Sequence, residues 1–354
     1  MTTSTSEPSM RTVTPALAVW NNRDIIAASR SRLQALSEAV NWLNDLELYQ
    51  WAQWFAIAME FQPDLIVELG RGMGNSTCVF TEAANQLGNC RVVSLCLSPD
   101  WDNTVKHRVA QVVPESWFQP LEIRNEEILT TDIQTLLGNM QRVLVLWDAH
   151  GYDMAEFVLG GLLPFLEHRQ NLVVMHDISD GRYGHGYMDY QGQRLWRGTK
   201  EGFNREGHSR LILNYLNTAV EQTVAIVDFT SRNGLTLQSA DHSLHTDLKP
   251  EQISELQASL GSTFFRLDGH WFYFSLNEKA PGDKIHFPSF QSEVVLQERH
   301  RLAQIDQLQP KIDQLQAEIA QLKTLLAQAE ADTGLANLLK KAWRKYKALR
   351  AKEI

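Results

Sequence analysis

Short apolar runs recur through the middle of the chain at Leu65–Leu69, Arg91–Leu97, Leu121–Arg124, Arg142–Trp147 and Asn171–Met175. Each has the length of a buried strand, and helix-sized amphipathic stretches separate them. Alternation of this kind predicts an α/β fold, a doubly wound and mostly parallel sheet with helices on both faces. Two later runs, Thr223–Phe229 and His270–Leu276, read as an antiparallel pair joined by a long excursion, which brings the expected sheet to seven strands.

The flanks follow other patterns. Residues 1–22 are polar at the start and are expected to be disordered, and residues 23–60 carry apolar positions at helical spacing, ending in Leu46, Trp51, Phe55 and Met59. That spacing predicts an N-terminal helical cap of two or three helices closed by Pro63, with the main α/β domain over 61–285. Beyond Pro288 the pattern changes. Ile305, Leu308, Ile312, Leu315, Ile319, Leu322, Leu326 and Ala329 advance by alternating threes and fours, and Ile-Asp-Gln-Leu-Gln occurs twice seven residues apart. This is the a/d seam of a coiled coil, assigned to 291–336, and isoleucine at a with leucine at d favours a parallel homodimer or a higher homo-oligomer. Glu318 at g and Lys323 at the next e can pair across it. Pro310 removes a helical donor, so the zipper either kinks there or starts there.

Charge separates the end of the chain from the rest. The formal charge is −9, while residues 337–354 hold seven Lys/Arg and one acid, a net +6, which leaves −15 on the remainder. An acidic body argues against nucleic-acid binding, which needs a basic face. The tail is basic and amphipathic, with Leu338, Leu339, Ala342, Tyr346 and Leu349 near one side. It reads either as a weak contact with an anionic membrane surface or as a solvated extension of the coiled coil. Three cysteines, Cys78, Cys90 and Cys96, form neither a disulfide framework nor a zinc spacing. No apolar stretch reaches the roughly 18 residues of a spanning helix. A cytoplasmic location is expected, peripheral to the inner membrane face if the tail touches lipid.

The strongest motif follows the first strand: Val67-Glu68-Leu69-Gly70-Arg71-Gly72-Met73-Gly74, then Asn75-Ser76-Thr77 opening a helix. Ligands of open α/β sheets bind at carboxyl strand ends, and glycines let backbone approach them. A dinucleotide fingerprint wants G-x-G-x-x-G, but residue 75 is Asn, so the match is G-x-G-x-G with an acid two positions earlier. This segment resembles motif I of class I S-adenosylmethionine-dependent methyltransferases. The resemblance implies a Rossmann-like methyltransferase domain, S-adenosylmethionine as cofactor, and Glu68, Gly70, Gly72, Gly74 and Ser76 around it. A second-strand acid is expected to hold the ribose hydroxyls, yet that strand ends in Cys96-Leu97-Ser98-Pro99. Asp100, or Asp102 behind it, is then the candidate, each equally a solvated loop acid. After the third strand, Asn125, Glu126 and Glu127 stand where the family often contacts adenine, and Glu126 is carried as a cofactor contact.

Candidate chemistry lies at the next two strand ends, Trp147-Asp148-Ala149-His150 and Met175-His176-Asp177. Oxygen ligands from separate strand ends suit Mg2+ or another divalent cation, which would acidify a bound hydroxyl. Asp148 also stands where it can simply cap the following helix. The pattern is similar to metal-dependent O-methyltransferases of the catechol and macrolide-sugar kind, and to the cephalosporin-hydroxylase-like group. That comparison implies Asp148 and Asp177 as metal ligands, with Asp148, His150 and His176 as the catalytic set and one histidine as general base. The catechol-type lysine has no counterpart, and imidazole suits proton removal near neutral pH. A two-histidine, one-carboxylate triad of His150, His176 and Asp177 is the other metal arrangement. Asp180–Tyr187 is rich in glycine and aromatic residues, is expected to be a flexible loop and, with Trp196, is a candidate substrate loop. The expected function is methylation of a small-molecule or sugar hydroxyl, with a hydroxylase-like enzyme or a non-catalytic coiled-coil scaffold as rivals.

Overall fold

The structure, a computed structural model, describes residues 13–42, 45–150, 152–176, 222–279, 282–290 and 293–350. The five apolar runs of the first half are all strands: β1 (Leu65–Leu69), β2 (Arg91–Leu95), β3 (Leu121–Arg124), β4 (Arg142–Trp147) and β5 (Gln170–His176). They pair in parallel, and β6 (Gln238–Ser239) and β7 (Trp271–Phe274) complete a seven-stranded sheet of order β3-β2-β1-β4-β5-β7-β6. β7 runs antiparallel to both β5 and β6. The chain therefore winds outward from β1 to β3, then returns to place β4 on the other side of β1. That reversal makes the carboxyl ends of β1 and β4 the switch point of the sheet.

Helices α1 (Pro15–Asn21), α2 (Arg23–Val40) and α3 (Leu48–Phe61) precede β1, and α4 (Asn75–Leu87) follows it. Further along come α5 (Lys106–Val109), α6 (Ile133–Leu137), α7 (Tyr152–Glu156), α8 (222–232), α9 (Ala240–Thr246), α10 (Pro250–Phe264) and α11 (Glu293–Arg350). The segment 1–22 is not disordered throughout. Thr14 caps α1 by accepting from Leu17 N, Pro15 takes the first helical position, and Ala16, Ala18 and Val19 are buried. Nor is Thr223–Phe229 a strand. Gln222, Ile226, Phe229, Thr230 and Asn233 are buried while Val224 and Val227 are exposed, which is helical spacing. Its short apolar run suggested a strand, but the period of burial decides the element. The true partner of β7 at the edge is the two-residue β6.

Strand alternation sorts the core. On one face, Ile66, Val92, Leu144, Leu146, Leu172 and Val174 share a hydrophobic core with α1 to α4 and α10. The N-terminal helices thus form a layer of the sandwich rather than a separate cap. Within it, Trp54 of α3 stacks on Phe80 of α4 with centroids 5.9 Å apart. Because side chains two apart share a face, Glu68, Ser94, Asp148 and His176 continue this same face at the carboxyl ends of their strands.

The chain divides at residue 292, and 293–354 is a unit of its own. There α11 runs without interruption from Glu293 to Arg350 through Pro310, with Ile312, Leu315, Ile319 and Leu322 exposed along it. No described helix is long and apolar enough to cross a membrane.

Candidate active site

The β1–α4 turn is shaped by packing as much as by openness. A Cβ on Gly70 would lie 2.8 Å from Ala149 N and 2.9 Å from the Asp148 carbonyl carbon, so the glycine backs directly onto the end of β4. A Cβ on Gly74 would lie 2.6 Å from the Trp101 ring, and Gly74 is the left-handed residue that starts α4. Only Gly72, of the three, faces open space. The first turn of α4 has no side-chain cap, and a helix N-terminus with free backbone N–H groups favours an anionic group.

The helix is held by Glu68 rather than by a side-chain cap. Glu68 is 0% exposed and accepts hydrogen bonds from Ser76 Oγ and from Thr77 Oγ1, the latter at 2.7 Å. Ser76, itself buried, is spent on this contact. Asn75 Nδ2 turns away to Trp42 O and Asp45 Oδ2. Burial pushes the Glu68 carboxyl above its ordinary range, and hydrogen bonds from Ser76, Ser94 and Thr77 with the Arg71 charge pull it only partly back. A folded value raised in this way means that the native state holds the proton more tightly than the unfolded chain. Stability should therefore fall as pH rises from the ordinary value of 4.5 through the folded one. Urea denaturation between about pH 5 and about pH 8 should show a smaller slope for Glu68→Gln, which cannot ionise. Glu68→Ala should cost about 3 kcal/mol, because two buried hydroxyls lose their acceptor.

Arg71 is the residue the sequence reading passed over. Its guanidinium is buried and donates to Ser94 O at 3.0 Å, to Ser94 Oγ at 3.1 Å and to Asn125 Oδ1 at 2.6 Å. Asn125 Nδ2 in turn donates to Asp102 Oδ2 at 2.6 Å. A buried charge needs such partners, and this chain ties the ends of β1, β2 and β3 together. Nε of Arg71 has no acceptor among the described residues. The signal was an arginine between two glycines at a strand end. Asp100 accepts from Ser98 Oγ at 2.6 Å in an exposed turn of its own, so Asp102 is the acid joined to the turn and Asp100 is not. Glu126 is on the surface, beside Arg124 at 3.7 Å and accepting from Thr131 Oγ1 at 3.3 Å.

Across the switch point, Asp148 and His176 come together. His176 Nδ1 lies 3.2 Å from Asp148 Oδ1, the histidine buried and the carboxylate side chain 19% exposed. Trp54 meets the imidazole edge-on at 5.4 Å, which fixes the ring from the α3 side. His150 is half-buried on the loop after β4. Asp177, the Asp180–Tyr187 loop and Trp196 lie outside the described residues. Among the described residues no three His, Cys, Asp or Glu side chains gather as a metal-binding group.

No family model and no curated protein matches the sequence. Solved structures do. The O-methyltransferase TomG from Streptomyces achromogenes, involved in tomaymycin synthesis and solved with SAM, shares 16% identity over 58% of this chain and 81% of its own, with a TM-score of 0.38. The SAH-bound Podospora anserina methyltransferase PaMTH1 shares 11% identity over 72% of this chain and 95% of its own, at 0.40. An O-methyltransferase from Bacillus cereus in complex with SAH shares 12% over 59% and 82%, at 0.36.

Proposed function

We propose that the chain is an S-adenosylmethionine-dependent methyltransferase acting on a hydroxyl of a small molecule or sugar. The observation that carries this reading is the contact of Gly70 with the Asp148–Ala149 backbone, which sets a ligand-accessible Gly72 turn beside an acid–histidine pair at the switch point. The chain's groups suit the cofactor. Gly72 leaves room for it, the α4 N-terminus suits a carboxylate, and Asp102, held by Asn125, which Arg71 holds in turn, offers acceptors to vicinal hydroxyls. S-adenosylmethionine, when bound, supplies an electrophilic methyl group.

The protein's part is to align the acceptor and remove its proton. Asp148 is the exposed member of its pair and faces the acceptor, while buried His176 positions it. His150, the more accessible histidine, takes the proton. A divalent cation at Asp148 and Asp177 would add Lewis-acid help to the same step.

Calorimetry with S-adenosylhomocysteine should show binding with or without Mg2+, since the turn meets Asp148 through backbone and not through its carboxylate. No heat of binding in either buffer would overturn the cofactor assignment. If the cation belongs to the site, chelation should abolish turnover while S-adenosylhomocysteine still binds. Unchanged turnover would remove the metal and leave the methyltransferase.

A further inference from the structure

The last turns of α11 carry an apolar face outside the heptad seam expected from the sequence. Continuing the Ile305 and Leu308 register by sevens places Lys340 and Lys347 at a, and Trp343 at d. A seam with lysines at successive a positions does not close, so the heptad pairing stops before this segment. Yet the segment is fully sorted. At the helical repeat, Leu338, Leu339, Ala342, Trp343 and Tyr346 fall within an arc of about 140°, and Lys340, Lys341, Arg344, Lys345 and Lys347 fill an opposing arc of about 160°. All ten positions from 338 to 347 obey this division.

These side chains are solvent-facing. Leu338, Leu339, Trp343 and Tyr346 are each more than half exposed, and the Trp343 and Tyr346 rings stack at 5.9 Å on one side of the helix. Five apolar residues in water beside five cations call for a partner that is both apolar and anionic. We propose that residues 338–347 dock on the surface of an anionic lipid bilayer, with the helix lying in the plane of the headgroups. The apolar arc then enters the acyl boundary, the two aromatic rings sit at headgroup level, and the lysines meet lipid phosphates. A nucleic acid would engage the basic arc and leave the apolar one in water. The net +6 of residues 337–354 supplies the attraction that the −15 of the rest opposes.

Vesicle flotation of the full chain tests this. Partition into vesicles of phosphatidylcholine with phosphatidylglycerol should exceed partition into phosphatidylcholine alone by about tenfold or more, given about fivefold per basic residue near the surface. Two variants separate the contributions. Lys340→Gln with Lys341→Gln, Lys345→Gln and Lys347→Gln keeps the apolar arc, and Leu339→Ser with Trp343→Ser and Tyr346→Ser keeps the charge. Each should lose at least tenfold in partition, with S-adenosylhomocysteine binding as in the parent, since the unit 1–292 is untouched. Absence of flotation with anionic vesicles overturns the proposal. So does a serine variant that floats like the parent, because charge alone would then explain the attraction, and a polyanion such as heparin or an acidic protein would be the better partner.

Discussion

Asp148→Ala should lower methyl transfer by about a hundredfold, the scale of a misplaced acceptor, while S-adenosylhomocysteine affinity changes by less than about threefold. Two things are lost together. The partly exposed carboxylate no longer faces the acceptor, and the buried His176 Nδ1, 3.2 Å from it, loses this contact. The second loss should cost about 1–3 kcal/mol of stability. Asp148→Asn distinguishes the roles, since it keeps the size and a carbonyl acceptor for His176 but not the charge. It should recover most of the stability and little of the turnover. Rate measurements at saturating cofactor, with denaturation of the same samples, read both. If turnover of Asp148→Ala stays within tenfold of the parent, Asp148 is no more than a support for His176.

Much of this arrangement was legible from the chain. The parallel strands are short apolar runs spaced by helices, and the glycine turn announces itself after β1. Asp148 and His176 were legible as strand-end residues because β4 and β5 are neighbours in such a sheet. What escaped was whatever depends on side-chain geometry across elements. Glu68 reads as a ligand contact, and its bonds to Ser76 and Thr77 on the face covered by α4 were not legible. Asp100 and Asp102 are indistinguishable as letters, and only the Arg71–Asn125 link, spanning 54 positions, separates them. The run 223–229 is apolar and β-branched but belongs to a helix, because no period distinguishes the two over so short a length. The long helix α11 was legible from its apolar spacing, and Pro310 did not end it.

The glycines of the turn should separate under mutation, although the sequence makes them look alike. In Gly70→Ala the new methyl meets backbone, the Ala149 nitrogen at 2.8 Å and the Asp148 carbonyl carbon at 2.9 Å, and φ is +93°. Backbone cannot rotate aside as a flexible side chain does. Left-handed strain and overpacking together should cost about 4 kcal/mol, and they push on the peptide that carries Asp148. Gly70→Ala should thus lose stability, turnover and cofactor affinity together. Gly72→Ala meets nothing within 4 Å, and its φ of +51° lies in the left-handed helical region. Its stability cost should be only about 1 kcal/mol. The methyl nevertheless enters the space assigned to the cofactor, so S-adenosylhomocysteine affinity should drop at least tenfold in a protein that folds nearly as well as the parent. Thermal denaturation and calorimetry on the two variants decide the matter. Parental affinity in Gly72→Ala would mean that the ligand lies elsewhere along the strand ends. A loss of affinity without a loss of stability ties the opening at Gly72 to the cofactor, because nothing else in the turn has moved.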